Sequence, residues 1–200
     1  MFPLYIWLIT GALTAALIFF VFAQAALTRS SGQSAADAAA LAAAQEARDL
    51  LYDDFLDGIG EDAGEDVDLG GILDGLDLPD GPPCAAAQRL ADRNDADVTD
   101  CAPLSDRYLV VVETRGTVGD SLIPGTESET ASAEATAVIR GLCELTEDEG
   151  QDEDDGGDEE QDEDDRVDLR CDEDRDWSFD PGDDGGRPEA RDLFRVYLED

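Results

Sequence analysis

The chain has 200 residues, 51 Asp and Glu against 13 basic residues, a formal net charge of -38 and an isoelectric point of about 4.1. Every basic residue is Arg, and neither Lys nor His occurs. This composition excludes histidine triads, histidine metal sites, Schiff-base chemistry and P-loop phosphate binding. A polyanion is also repelled by nucleic acid. The carboxylates fall mostly in loops, with no fixed acid/base pair of the glycosidase kind. No catalytic residue, cofactor, metal site, nucleic-acid partner or small-molecule substrate is expected.

Residues 2–27 contain no charged side chain. About 20 apolar residues cross a hydrocarbon core of roughly 30 Å, so this run predicts a single transmembrane helix. Tyr5 and Trp7 suit the headgroup level at one end. Gly11 and Ala15 have the small-xxx-small spacing of helix packing. Ala23-Gln24-Ala25 offers a signal-peptidase pattern. The run lacks a basic leader and exceeds a typical h-region, which favours an uncleaved anchor.

Beyond the run, Ala-rich residues 34–49 are strong helix formers, and Gly58 and Gly60 supply a stop. One helix over about 3–57 is predicted, with Leu41, Leu50, Leu51, Phe55 and Leu56 as a partial apolar stripe. The stretch Gln33-Ser34-Ala35-Ala36-Asp37-Ala38-Ala39-Ala40-Leu41-Ala42 after an apolar helix resembles the TadE/TadG-like family. These are pseudopilin-like proteins of the tight-adherence (Flp-type) pilus system. Cys84-Ala-Ala-Ala-Gln-Arg-Leu-Ala with Cys101 is similar to its small actinobacterial members. The resemblance covers about residues 1–142. It implies a non-enzymatic, single-pass membrane component that meets other pilin-like or Tad assembly subunits through its N-terminal helix. Processed prepilins carry a Glu at the start of the apolar run, whereas the first Glu here is Glu46. That departure points to a minor assembly component rather than a major pilin.

Residues 58–143 read as a small exported α+β domain. A Gly-rich loop over 58–82 precedes a helix starting at Pro82 and Pro83. Strands follow at 97–102 and 107–116, the second with Tyr108, Val110 and Val112 on one face. Residues 130–142 suit either element by composition, and hairpin pairing with 107–116 tips them to strand. The expected fold is α+β, a long transmembrane helix continuing into a pilin-like helix packed on a small antiparallel sheet. Cys84, Cys101, Cys143 and Cys171 suit two disulfides in an exported domain. The short loop favours Cys84–Cys101, which leaves Cys143–Cys171. A zinc site is the weaker alternative, lacking C-x-x-C and His. Cysteine usage therefore places the C-terminal domain outside the cytoplasm.

Residues 144–166 form an acidic segment, and its core at 147–165 has 14 carboxylates in 19 residues and no apolar side chain. Such a run cannot bury enough surface to fold and is expected to be disordered. Residues 172–183 approach a calcium loop, but Trp177 stands where the motif needs Gly. Residues 167–200 are expected to return to the domain, with a strand at 167–171. Residues 193–198 are open to strand or short helix. The alternative function is a secreted or anchored acidic surface protein with diffuse cation binding or cell-wall contact.

Overall fold

The computed structural model describes residues 2–60, 67–76, 78–116, 130–146, 166–172, 175–183 and 186–199. The acidic run at 147–165 and the loop around Gly125 lie outside them. One helix, α1 (Phe2–Gly58), is followed by α2 (Leu69–Leu73), α3 (Pro82–Arg93), β1 (Ala96–Leu104), β2 (Arg107–Thr114) and β3 (Ser132–Gly141). After these come β4 (Cys143–Leu145), β5 (Val167–Cys171), β6 (Trp177–Phe179), α4 (Ala190–Leu193) and β7 (Phe194–Leu198).

Helix α1 continues unbroken past Ser30, Ser31 and Gly32. Its second half carries a ridge of Ala35, Ala36, Ala39, Ala40, Ala43, Ala44 and Ala47, all 0% exposed, extended by Leu51 and Phe55. The i, i+4 spacing stacks these side chains on one face. They share one core with Tyr108, Val110 and Val112 of β2, Ala135, Ala137 and Ile139 of β3, and Ala87 and Ala91 of α3. Methyl groups on both sides let the helix lie close to the sheet. Gly32 extends the same approach, since a Cβ there would stand 3.4 Å from Thr114 Cγ2.

The first half of α1 is a different matter. Among the described residues, no helix is long and apolar enough to cross a membrane. This overturns the expected transmembrane helix. With it go the single-pass placement in the cell membrane and the extracytoplasmic assignment of the C-terminal domain. From Gly32 onward the helix is committed to the sheet and carries Asp37, Glu46, Arg48 and Asp49.

The main sheet is antiparallel with order β1-β2-β3-β7. The alternation expected for β2 places Tyr108, Val110 and Val112 in the core. Residues 132–141 are a strand paired with β2, because that pairing buries Ala135, Ala137 and Ile139 under α1. Residues 190–198 resolve as a turn of helix followed by a strand, and β7 returns to the outer side of β3. A second sheet, β4-β5-β6, continues from β3 beyond Leu142. Leu142 joins the two, donating its N–H to Leu193 O at 2.8 Å and accepting from Asp172 N–H at 2.8 Å.

Within the Gly-rich stretch after α1, expected to be loop throughout, residues Leu69–Leu73 form a short helix. Asp68 Oδ1 accepts from Gly71 N–H at 3.0 Å and caps the short α2. Leu73 docks at 1% exposure, whereas Leu76 is 41% exposed. Gly75, at φ 73°, turns the chain between them. Gly141 lies directly beneath this turn. A Cβ there would sit 1.9 Å from Leu73 O and 3.0 Å from Leu73 C.

Gly141→Ala must therefore push backbone from backbone. It is expected to destabilise the protein by about 3 kcal/mol in urea unfolding, the upper end for overpacking. Gly11→Ala, at an open position with nothing within 4 Å, leaves the unfolding of the sheet domain unchanged. Tyr108, 0% exposed, donates its hydroxyl to Pro79 O at 2.5 Å. Burial, reinforced by Asp80, pushes this phenol above its ordinary range. Its stabilising contribution is full below the unfolded value of about 10 and is lost as pH rises beyond it. Tyr108→Phe should cost about 1 kcal/mol at neutral pH for the lost bond. It should also flatten the fall in urea midpoint above that pH.

Candidate assembly surface

The apolar half of α1 contributes the largest exposed hydrophobic surface of the described structure. Trp7 is 78% exposed, Phe19 76%, Phe22 71% and Tyr5 68%. Ile6, Leu8, Leu13, Leu17, Ile18 and Phe20 are exposed around them, so the surface encircles the helix rather than forming one stripe. Soluble monomers rarely expose contiguous apolar area on this scale. Thr14 Oγ1 donates to Thr10 O at 2.9 Å, satisfying its hydroxyl within the helix. Gly11 and Ala15 lie on this exposed rod, and no neighbouring helix touches Gly11. The structure leaves their small faces open.

The rod leaves the domain at a defined place. Gln33 Nε2 donates to Asp37 Oδ1 at 2.7 Å and to Glu134 O at 3.2 Å, tying α1 to the first residues of β3. Near the other end, Tyr52 Oη donates to Pro188 O at 2.6 Å. The rod is thus an unbroken continuation of a helix held along the sheet.

Two disulfides brace the domain. Cys84 on α3 joins Cys101 on β1, and Cys143 on β4 joins Cys171 on β5. These are the pairs that spacing favours in the sequence. Two arginine clamps, not anticipated from sequence, do similar work with charge. Arg115 Nη2 donates to Asp92 Oδ1 at 2.5 Å, and its Nε to Asp97 Oδ2 at 2.8 Å, joining the end of α3 to β1. Arg107 reaches Asp106 Oδ1 at 2.9 Å and Glu199 Oε1 at 2.6 Å, joining the β1–β2 turn to the end of β7. The hydrogen bonds from Arg115 and Arg107 hold Asp97 and Asp106 below the ordinary carboxylate range. Asp106 is the neighbour of Arg107, but Glu199, Asp92 and Asp97 are distant in sequence from the arginines they meet, so no local motif announces the clamps.

The clefts carry no comparable arrangement. One of about 600 Å³ lies between Ile59, Leu69, Val167 and Pro181, with Arg166, Asp168 and Asp180 at its walls. No group of three His, Cys, Asp or Glu among the described residues is placed to hold a metal ion. In the calcium-like stretch, Asp180 Oδ1 accepts from Gly182 N–H at 2.7 Å and closes a turn, while Trp177 belongs to β6.

The Cys84–Cys101 bond closes a separation of 17 residues. Replacing both cysteines by Ala is expected to lower stability by about 2–4 kcal/mol in guanidinium unfolding, with native strand content retained. No family model, curated protein or solved structure matches this chain.

Proposed function

We propose that this chain is a non-enzymatic, pseudopilin-like structural subunit, a minor component of a Tad- or Flp-type pilus assembly or secretion system. The observation that carries the reading is the division of α1. One half is built into a small α+β domain through the alanine ridge, and the other projects as an apolar rod. An all-round apolar helix is stable when it is buried among others. The partners that fit are equivalent apolar helices of other subunits. Gly11 and Ala15 allow close approach, and packed side chains supply the attraction. The domain then forms the outer face of the assembly.

The full chain is expected to sediment as oligomers that dissociate on dilution, with Trp7 emission shifting to the blue as they form. Leu13→Asp with Leu17→Asp places carboxylates at exposed positions, 60% and 54%, and spares the sheet domain. An unpaired buried charge costs about 3–5 kcal/mol, so association should weaken at least a hundredfold. A chain that stays monomeric at every concentration, or that only enters lipid vesicles as a monomer, overturns the proposal. Diffuse cation binding by an acidic surface protein is then the reading that the charge of -38 favours.

A further inference from the structure

The two edges of the main sheet are treated differently. On β1, the bulge between Val98 and Asp100 breaks the edge. Gln88 Oε1 accepts the Val98 N–H at 3.2 Å, Pro103 has no N–H to offer, and Cys101 is tied to α3. These are the devices that keep an edge from recruiting another strand. The β7 edge has no bulge, no proline and no disulfide, and is guarded only by its five-residue length and its charged side chains.

The outward-facing groups of β7 follow from its pairing. Leu142 N–H donates to Leu193 O, and Glu199 N–H donates to Thr136 O. Arg195 and Tyr197, at the same parity, therefore bond inward to β3 opposite Arg140 and Val138. Phe194, Val196 and Leu198 direct their N–H and C=O groups away from the sheet. The Phe194 N–H is bonded to Ala190 O in α4. The N–H groups of Val196 and Leu198 have no backbone partner among the described residues. The side chains alternate, with Phe194 buried, Val196 and Leu198 half-buried on the core side, and Arg195, Tyr197 and Glu199 on the open face.

We infer that this edge pairs antiparallel with the β7 edge of a second copy, about a two-fold axis at Tyr197. Val196 and Leu198 of each copy then exchange N–H···O bonds with Leu198 and Val196 of the other. Tyr197 meets Tyr197 at a non-hydrogen-bonded position, where side chains approach most closely. Arg195 of each copy stands directly across from Glu199 of the other, an opposite-charge pair on both sides of the axis. A register about Arg195 sets Arg195 against Arg195, one about Val196 sets Arg195 against Tyr197, and one about Leu198 sets Tyr197 against Glu199, so none of these makes an opposite-charge pair. In a chain with 13 Arg and 51 carboxylates, this self-complementarity of charge selects a second copy and the register. The product is a continuous eight-stranded sheet, with both copies of α1 on the same side.

The test uses the full chain carrying Leu13→Asp and Leu17→Asp, so that association through the rod is suppressed and the two proposals fail separately. Arg195→Glu alone and Glu199→Arg alone should each weaken dimerisation at least tenfold in sedimentation, since each sets like charges opposite; Glu199→Arg also releases Arg107 within its own copy, an effect that Arg107→Gln, which leaves the opposite-charge pairs in place, reads separately. Mixing the two variants restores both opposite-charge pairs and should return the affinity to within about threefold of the parent. Tyr197→Cys should cross-link to itself under mild oxidation, as the about 4.5 Å Cα separation of such a pair lies within disulfide range. Arg195→Cys and Glu199→Cys should each fail alone and cross-link when mixed. Folded charge variants that leave dimerisation unchanged or show no rescue on mixing overturn the inference. A Tyr197→Cys chain that stays monomeric under oxidation does the same, even where a charge variant fails to fold.

Discussion

The contact between the alanine ridge of α1 and the inner face of the sheet is what the rest of the molecule depends on. Methyl groups have little area each, so the ridge gains by length and by proximity rather than by large side chains. Close-packed interiors reward contact at full van der Waals density. A ridge of alanines loses almost no side-chain entropy on burial. The domain has few large core residues, among them Tyr108, Phe55 and Phe194, and it offsets that shortage by laying one long helix across β2, β3 and β7 and beside α3. Without α1 the inner faces of β2, β3 and β7 lose their cover, and α3 remains over β1 alone. The helix is therefore both the projecting rod and half of the hydrophobic core.

The same economy governs the charges. With 13 arginines for 51 carboxylates, most acids have no cation to meet. The clamps go to chain ends and junctions: Arg115 at the α3–β1 junction, Arg107 at the β1–β2 turn and the end of β7, and Arg140 reaching Asp172 at 3.1 Å between the two sheets. All three are at least partly exposed, so each contributes modestly in water. Arg115 and the Cys84–Cys101 bond both join α3 to β1, and Asp172, which Arg140 meets, follows the disulfide-bonded Cys171, whereas Arg107 ties the β1–β2 turn to the end of β7 by charge alone.

Much of the fold was legible because its signals are local. Alanine content fixed α1, Pro82 and Pro83 marked the start of α3, and the alternation of 107–114 fixed a strand and its buried face. The cysteine pairs followed from loop length. What was not legible depends on distant partners. Residues 69–73 look like loop until Asp68 caps them and Leu73 finds the core. Gly141 is an ordinary glycine in sequence, and its requirement appears only when Leu73 lies against it. The membrane span was a misreading of a different kind, since apolar composition measures affinity for a nonaqueous setting and does not identify the setting. The exposed rod itself was visible as a charge-free run, whereas the contrast between the two sheet edges required the register of every strand.

The mouth of the β4–β5 hairpin has a consequence for how this protein can vary. Leu145 pairs with Leu169, Thr146 N–H donates to Asp168 O at 3.0 Å, and Cys143–Cys171 fixes the base. The chain thus departs at Thr146 and re-enters at Arg166 within one hairpin mouth, whatever lies between. Closing a longer loop there costs only about 0.6 kcal/mol per doubling of its length. The 14 carboxylates of 147–165 are therefore an adjustable load. Insertions and deletions in this stretch can reset the charge of the protein in large steps, while the sheet, the clamps and the rod keep their sequence and their geometry.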